Sequence, residues 1–264
     1  MCGGLGKAYA SGMKVLILGG TTEASALARA LAGDARFEAT LSLAGRTRNP
    51  VQAPIAQRVG GFGGSAGLAA HLRREALQAL IAATHPYAAQ MARNAVAAAA
   101  DVGLPFLALR RPPWLRQPGD RWRAVADAAA AVAALGTAPR RVFLAMGRQE
   151  LAPFAAAPQH DYLIRSVDHP GALPLPKLRV ITARGPFDAA EEERLLRDAE
   201  IEVLVAKNSG GSASYGKISA ARRLGLPVVL LERPLLPSAE TVATAEAAMA
   251  WLATHHEAAV RRGL

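Results

Sequence analysis

The chain has 264 residues, a net charge of +10, 51% hydrophobic residues and 5% aromatic residues. Its single cysteine, Cys2, excludes an internal disulfide and a zinc site built from several cysteines, and a run of about 18 apolar residues, typical of a membrane span, is missing. The 31 Lys and Arg residues are dispersed instead of forming a stripe, so the composition predicts a soluble, cytoplasmic protein and argues against a nucleic-acid binder, a membrane protein or a metalloprotein.

Strands and helices alternate in the first half of the chain. An apolar run at 14–18 is followed by two glycines and then by helical spacing over 21–31. Further strands are predicted at 37–43, 56–61, 79–83 and 106–109, and further helices at 66–76 and 88–101. This alternation predicts parallel βαβ units in an open sheet that helices cover on both faces.

Residues 110–121 contain three prolines and a glycine and are the best linker candidate. After them, strands are predicted at 142–146, 162–167, 178–182, 202–206 and 228–232, and helices at 126–135, 188–199, 214–224 and 239–254. We therefore predict an α/β protein of two Rossmann-like domains with open parallel sheets, over 13–112 and 123–264. Residues 122–125 could extend either sheet, so the sequence leaves strand exchange between the domains open.

The segment GGTTEA at 19–24 occupies the position of the phosphate loop in a dinucleotide-binding fold. A helix N-terminus offers free N–H groups and a partial positive charge there, and glycine lets phosphates approach the backbone. The motif G-x-G-x-x-G is not met, because Thr21 and Ala24 replace its second and third glycines, and an ordinary turn would also fit. The candidate cofactor ligands are Gly19, Gly20, Thr21, Thr22 and Glu23.

The second predicted strand ends in SLAGR at 42–46. A site specific for NAD would place an acid there to bind the ribose 2′-hydroxyl, whereas Ser42 and Arg46 suit the 2′-phosphate of NADP. The alternative is an exposed arginine in a turn. Together with the glycine turn, this segment predicts that the first domain binds NADPH.

Basic residues recur at or just beyond the carboxyl ends of the second-domain strands, where open sheets bind ligands. Each one alone is typical of a solvated surface, but five like charges on one edge repel each other unless an anion offsets them. The loop at 207–212 adds backbone N–H donors. The sequence thus predicts a ligand with several carboxylates or phosphates. The candidate ligand-binding residues are Arg148, Arg165, Arg184, Lys207, Arg233, Lys217, Ser209, Gly210, Gly211, Ser212 and Tyr215.

Six segments together resemble the precorrin-6A reductases, over about residues 13 to 234. They are GGTTEA at 19–24, SLAGR at 42–46, THPYA at 84–88, GRQE at 147–150, ARGPF at 183–187 and AKNSGGSASYGKI at 206–218. The resemblance implies a two-domain oxidoreductase of cobalamin biosynthesis that uses NADPH to reduce one double bond of precorrin-6A, a polycarboxylate tetrapyrrole, giving precorrin-6B. Enzymes of neighbouring pathway steps are further candidate partners. We assign NADPH to the first domain and the macrocycle to the second.

The chain departs from the family where that family usually has D-A-T-H-P-[YF]-A, because Ala82 stands in the place of the aspartate. The missing carboxylate could be a proton donor, a water-orienting group or a hydrogen-bond partner, so the departure puts the activity of this chain in question. His85 and Tyr87 are the candidate catalytic proton donors, with a purely structural His85 and a proton from solvent as alternatives. A Y-x-x-x-K dyad is excluded, because Tyr215 and Lys217 have the wrong spacing.

Two other functions remain compatible with the sequence. One is an NADPH-dependent reductase that acts on a different polyanion, and the other is a tetrapyrrole carrier that needs no nucleotide. The glycine-rich loop at 60–64 could be a mobile lid or a tight turn. Trp114 and Trp122, which flank the linker, could cover a ligand ring or pack in a core.

Overall fold

The computed structural model describes residues 12–45, 51–147, 150–167, 171, 173, 175–183 and 185–262. The chain divides into two units. The first unit comprises the residues up to Arg111 together with those from Leu236 onward, and the second unit is Pro112–Leu235. In the ranges described, no helix is both long and apolar enough to span a membrane.

The first unit contains a six-stranded parallel sheet. Its strands are β1 (Met13–Leu18), β2 (Phe37–Leu43), β3 (Ala56–Val59), β4 (Ala79–Ala82), β5 (Phe106–Leu109) and β12 (Thr241–Val242). Their order in the sheet is β12-β5-β4-β1-β2-β3. The helices are α1 (Thr22–Leu31), α2 (Gly64–Arg74), α3 (Ala89–Val102) and α7 (Ala245–Arg261). Side chains of β1 alternate between the two faces, so that Val15 and Ile17 join one apolar cluster and Leu16 and Leu18 join another.

The second unit contains another six-stranded parallel sheet. Its strands are β6 (Arg121–Val125), β7 (Arg141–Ala145), β8 (Asp161–Ser166), β9 (Leu178–Thr182), β10 (Val203–Lys207) and β11 (Pro227–Leu231). Their order in the sheet is β6-β11-β10-β7-β8-β9. The helices are α4 (Ala128–Leu135), α5 (Ala189–Asp198), α6 (Gly216–Arg223) and a short 3₁₀ helix, Ala152–Ala156. The two sheets confirm the predicted α/β class with open parallel sheets.

The predicted helix at 239–254 is wrong at its start. The helix begins at Ala245, after Thr244, whose hydroxyl oxygen accepts the Ala247 N–H at 3.2 Å as an N-cap. The residues before it form β12, in which β-branched Thr241 and Val242 favour extended backbone. The 3₁₀ helix at Ala152–Ala156 was not predicted either.

The predicted second domain, 123–264, is wrong for its C-terminal segment. The N–H of Ala108 donates to the Glu240 carbonyl at 2.9 Å, and the N–H of Arg110 donates to the Val242 carbonyl at 2.8 Å. These bonds satisfy the edge of β5, while Trp251 on α7 packs into the first-unit core. Residues 122–125, which the sequence left open, lie in β6 of the second sheet, and it is β12 that returns to the first sheet.

The proline-rich segment after Arg111 is anchored within the second unit. The Trp114 N–H donates to Asn208 Oδ1 at 2.7 Å, and Arg222 Nε donates to Asp120 Oδ1 at 2.8 Å. Trp114 is buried in the second-unit core, and its indole N–H donates to the Gly211 carbonyl at 2.7 Å. Trp122 packs against the same core. Both tryptophans therefore have a packing role.

Candidate functional site

A cavity of about 270 Å³ lies at the carboxyl ends of the first-unit strands. Its wall includes Gly19 and Gly20 after β1, Ser42 on β2, Gly60 and Phe62 after β3, and His85 after β4. Open parallel sheets bind their ligands at this edge. The structure therefore brings the predicted glycine turn, Ser42 and His85 to one cavity.

The turn between β1 and α1 offers hydrogen-bond donors to a ligand. Gly20 has φ +121°, and a Cβ built on it would meet nothing within 4 Å. Thr21 caps α1, because its Oγ1 accepts the Ala24 N–H at 3.1 Å and its hydroxyl donates to the Ala83 carbonyl at 2.8 Å. Within the described part of the chain, the N–H groups of Gly20, Thr21 and Thr22 have no acceptor. Successive free N–H groups at a helix start suit a phosphate group.

Glu23 has a protein partner. Arg111 Nη1 donates to its Oε2 at 2.7 Å, and the two side chains are only 12% and 18% exposed. Burial raises the pKa of Glu23, but the hydrogen bond from its own backbone N–H and the charge of Arg111 outweigh it, so the pKa lies below 4.5. Thr21, Thr22 and Glu23 do not line the cavity. Cofactor binding by these three residues, and by Gly19, Gly20 and Ser42, stays a prediction.

Ser42 is paired with an arginine that the sequence analysis missed. Ser42 is buried, and its Oγ accepts a hydrogen bond from Arg58 Nη1 at 2.7 Å. Arg58 Nη1 also donates to the Gly60 carbonyl at 3.2 Å, and the guanidinium lies 4.0 Å from the centroid of the Phe62 ring. Burial, and then the charge of Arg74, lower the pKa of Arg58. Arg46, the predicted 2′-phosphate ligand, lies outside the described residues.

The glycine-rich loop after β3 is a tight turn. Gly60, Gly63 and Gly64 have φ values of +133°, +78° and +93°, which L-residues with side chains rarely adopt. A Cβ on Gly67 would overlap with the Phe62 carbonyl oxygen, so the loop folds directly onto the start of α2. The loop thus forms the turn that the sequence offered as one alternative, and a role as a lid stays a prediction.

The segment AATHPYA, residues 82–88, lies partly in the core and partly at the cavity wall. Ala82 is 8% exposed and packs in the apolar cluster of α2 and α3, outside the cavity wall. His85 lines the cavity, and its Nδ1 accepts the Tyr87 N–H at 3.3 Å. A neutral His85 ring therefore has its proton on Nε2. Catalytic roles for Ala82, His85 and Tyr87 stay predictions.

In the second unit, Arg165 near the end of β8 forms an ion pair with a buried acid. Its Nη2 lies 2.5 Å from Glu192 Oε1, and the Arg165 and Glu192 side chains are 11% and 1% exposed. The Arg165 guanidinium also stacks 3.5 Å from the Phe187 ring centroid. Glu192 Oε2 is buried with no hydrogen-bond partner among the described residues, so this acid depends on Arg165 for its charge compensation.

The other described cations of the predicted edge also contact protein groups. Lys207 Nζ donates to Glu150 Oε1 at 2.8 Å. Arg233 donates to the carbonyls of Asn208, Ser209 and Pro112, and Lys217 is buried, donates to the Ser214 carbonyl and lies over the Trp114 ring. Acids of the protein therefore compensate the charges of Arg165 and Lys207. Ligand binding by the predicted cations stays a prediction. Arg148 and Arg184 lie outside the described residues.

The loop between β10 and α6 has a constrained backbone. Gly210 and Gly211 have φ values of +68° and +70°, and a Cβ on Gly210 would overlap with the Pro112 carbonyl oxygen. Tyr215 Oη accepts a hydrogen bond from Arg222 Nη2 at 2.5 Å. The Tyr215 N–H donates to the Ser212 carbonyl at 3.0 Å. Ligand binding by Ser209, Gly210, Gly211, Ser212 and Tyr215 stays a prediction.

The chain is similar to proteins of known family in both sequence and structure. The family model described as "Precorrin-6x reductase CbiJ/CobK" matches residues 14–253. The chain is 56% identical over 243 residues to the precorrin-6A reductase of Rhodobacter capsulatus, covering 92% of this chain and 96% of the relative. It is 53% identical over 237 residues to the precorrin-6A reductase of a Sinorhizobium species, covering 89% of this chain and 91% of the relative. A solved structure, "CobK precorrin-6A reductase", superposes with a TM-score of 0.89 at 55% identity, covering 92% of this chain and 97% of that one.

Proposed function

The chain belongs to the precorrin-6x reductase family, and from that membership we propose that it reduces precorrin-6A to precorrin-6B with NADPH as the hydride donor. Membership makes it an oxidoreductase of cobalamin biosynthesis. The choice of NADPH, the identity of the product and the residues that bind each ligand are our proposal. We assign the nucleotide to the first unit and the macrocycle to the second.

The observation that supports a nucleotide in the first unit is the combination of the cavity with free donors beside it. The N–H groups of Gly20, Thr21 and Thr22 suit the diphosphate, and the open space above Gly20 lets phosphates approach the backbone. Ser42 stands at the end of β2, where the adenosine ribose of a dinucleotide binds in this type of fold. The donor set therefore fits a pyridine dinucleotide.

The hydride comes from the nicotinamide ring when the cofactor is bound, and the protein supplies position and electrostatics. His85 lies on the cavity wall with its Nδ1 occupied by the Tyr87 N–H, so its Nε2 is the nitrogen that can hold a proton for transfer. Solvent is the alternative source of that proton, and the Ala82→Asp variant tests whether the carboxylate that Ala82 lacks takes part.

The second unit offers the macrocycle one cation, Arg165, whose hydrogen-bonding capacity is only partly used by the described residues. A guanidinium has five N–H donors, and Arg165 uses one of them on Glu192. A substrate carboxylate can therefore bind to Arg165 without displacing Glu192, and the loop 209–212 adds backbone donors. We propose that Arg148, Arg165, Arg184, Lys207, Ser209, Gly210, Gly211, Ser212, Tyr215, Lys217 and Arg233 form the precorrin-binding edge.

The test is anaerobic mixing of the protein with NADPH and precorrin-6A while the nicotinamide and macrocycle absorbances are followed together. We expect both absorbances to change in step, with one NADPH consumed per macrocycle. If both ligands bind without turnover, recovery of turnover in the Ala82→Asp variant would show that the aspartate missing at Ala82 is needed. Binding of the macrocycle without any binding of NADPH would instead identify a carrier and contradict the proposal.

A further inference from the structure

Among the described residues, Arg58 is a cation that contacts the cavity wall of the first unit. Its position there follows from the pairing of β2 with β3. In that parallel pair Ser42 lies opposite Arg58, so the two side chains share one face of the sheet. The Arg58 guanidinium reaches the carboxyl edge, where it bonds to Ser42 Oγ and the Gly60 carbonyl and stacks on Phe62. All three of these partners line the cavity.

The bond between Arg58 and Ser42 fixes the direction of the Ser42 hydroxyl. A guanidinium can only donate, so Ser42 Oγ is the acceptor in this bond and keeps its own proton for another partner. Among the described residues, that proton has no acceptor. Ser42 thus presents a donor at the cavity wall, with a positive charge directly behind it, and suits an anionic oxygen of a ligand.

The charge of Arg58 lacks a carboxylate partner in the described ranges. Glu38 and Glu75 share a shallow depression with Arg58, but neither carboxylate comes within the 4.0 Å of an ion pair. Arg58 differs in this respect from Arg165 and Lys207, whose charges are compensated by acids. A half-buried arginine that bonds only to neutral groups is stabilised when an anion binds beside it.

We propose that Arg58 favours NADPH over NADH, by supplying a positive charge and by orienting the Ser42 hydroxyl toward a phosphate monoester on the adenosine ribose. This inference rests on the proposed function, because it assumes that the cavity holds a pyridine dinucleotide. It adds a position on β3 to the site, in a segment that forms no part of the glycine turn or of the SLAGR motif.

The test compares the dissociation constants of NADPH and NADH for the full chain and for four variants, by nicotinamide fluorescence. Arg58→Met keeps an apolar stem on Phe62 and removes the charge, Arg58→Lys keeps the charge without the fork, and Ser42→Ala removes the donor. Arg93→Met, on the exposed face of α3, is the matched control for the lost charge. Thermal unfolding of each variant checks that it is folded.

We expect Arg58→Met to weaken NADPH binding by about 10- to 100-fold while leaving NADH binding nearly unchanged, since a charge-assisted bond to the 2′-phosphate is lost. Arg58→Lys should retain part of the preference, Ser42→Ala should reduce it less than Arg58→Met does, and Arg93→Met should leave it intact. If Arg58→Met does not fold, Arg58→Lys and Ser42→Ala decide the question in the same way.

The outcomes separate this inference from the proposed function. An unchanged preference for NADPH in Arg58→Met and Ser42→Ala would overturn the role of Arg58 alone. An equal loss of NADPH and NADH binding would overturn it too, because it would indicate a merely structural residue. A wild-type protein that binds both nucleotides equally would overturn the choice of NADPH itself, and adenosine 2′-monophosphate would then compete no better than adenosine.

Discussion

The carboxyl edges of the two sheets differ in whether their polar groups already have partners within the protein. The edge of the first sheet leaves neutral donors free around a cavity, namely the N–H groups after β1 and the Ser42 hydroxyl. The described edge of the second sheet holds cations that are already bonded to protein groups, with Arg165 on Glu192 and Lys207 on Glu150. The difference shows that the donors at the first edge are available to a ligand, whereas charged side chains at the second edge are already paired within the protein. The sequence alone predicts a ligand site at both edges.

Removing the charge of Arg165 should have the largest effect. Arg165→Met leaves Glu192, 1% exposed, as an uncompensated buried carboxylate, and we expect a loss of about 3–5 kcal/mol in the free energy of unfolding. Urea unfolding measures this loss, and the double variant Arg165→Met/Glu192→Leu should recover most of it. Arg179→Met, an exposed arginine on β9, is the control. If Arg165→Met were as stable as the control, Glu192 would not depend on Arg165 for its charge compensation, and this edge would not differ from that of the first sheet.

Replacing a glycine by alanine should destabilise the protein more at the edge of the second sheet than at the edge of the first. Gly210→Ala places a side chain at φ +68° and against the Pro112 carbonyl, so we expect it to destabilise the protein by about 3 kcal/mol. Gly20→Ala at φ +121° has open space around it and should cost about 1–2 kcal/mol, from backbone strain alone.

Nucleotide titration completes the glycine comparison. Gly20→Ala should weaken binding of NADPH, because its methyl group fills the space above the turn, whereas Gly210→Ala should leave that binding unchanged at a temperature where it is folded. A Gly20→Ala variant that binds NADPH like the wild type would remove the turn from the cofactor site.

The ion pair of the first unit should have a smaller effect that depends on pH. The pKa of Glu23 in the folded protein lies below the value of 4.5 expected for the unfolded chain, so the stabilisation is present above that value and is lost as the pH falls through the folded pKa. We expect Glu23→Gln to lose about 1 kcal/mol at neutral pH and nothing in strong acid.

Unfolding measured over a pH series tests the Glu23 prediction against Glu257→Gln, an exposed acid on α7. A stability difference between wild type and Glu23→Gln that does not change with pH would exclude the ion pair as its cause.

The sequence predicted the sheets well, because buried parallel strands are apolar runs with helical spacing between them, as at 14–18 and 142–146. It failed at β12, since two residues are too few to show a pattern and their partner, β5, lies far away in the chain. It therefore assigned the C-terminal helix to the wrong unit.

The sequence predicted which residues reach each edge but not what they contact there. Glu192 and Glu150 bond to cations that lie 27 and 57 positions away in the sequence. A local sequence pattern does not predict pairs that are so far apart. Arg58 was missed because β3 has only four residues and no alternation, and its bond to Ser42 depends on a strand pairing that spacing does not give.

We propose that the nucleotide of the first unit passes its hydride directly to the macrocycle. Single turnover with NADPH that carries two deuterium atoms at C4 of the nicotinamide, followed by mass measurement of the tetrapyrrole product, tests it most directly. We predict that each product molecule gains one deuterium atom. A product reduced at the expense of NADPH but free of deuterium would contradict direct transfer and the assignment of the first-unit cavity to the reacting cofactor.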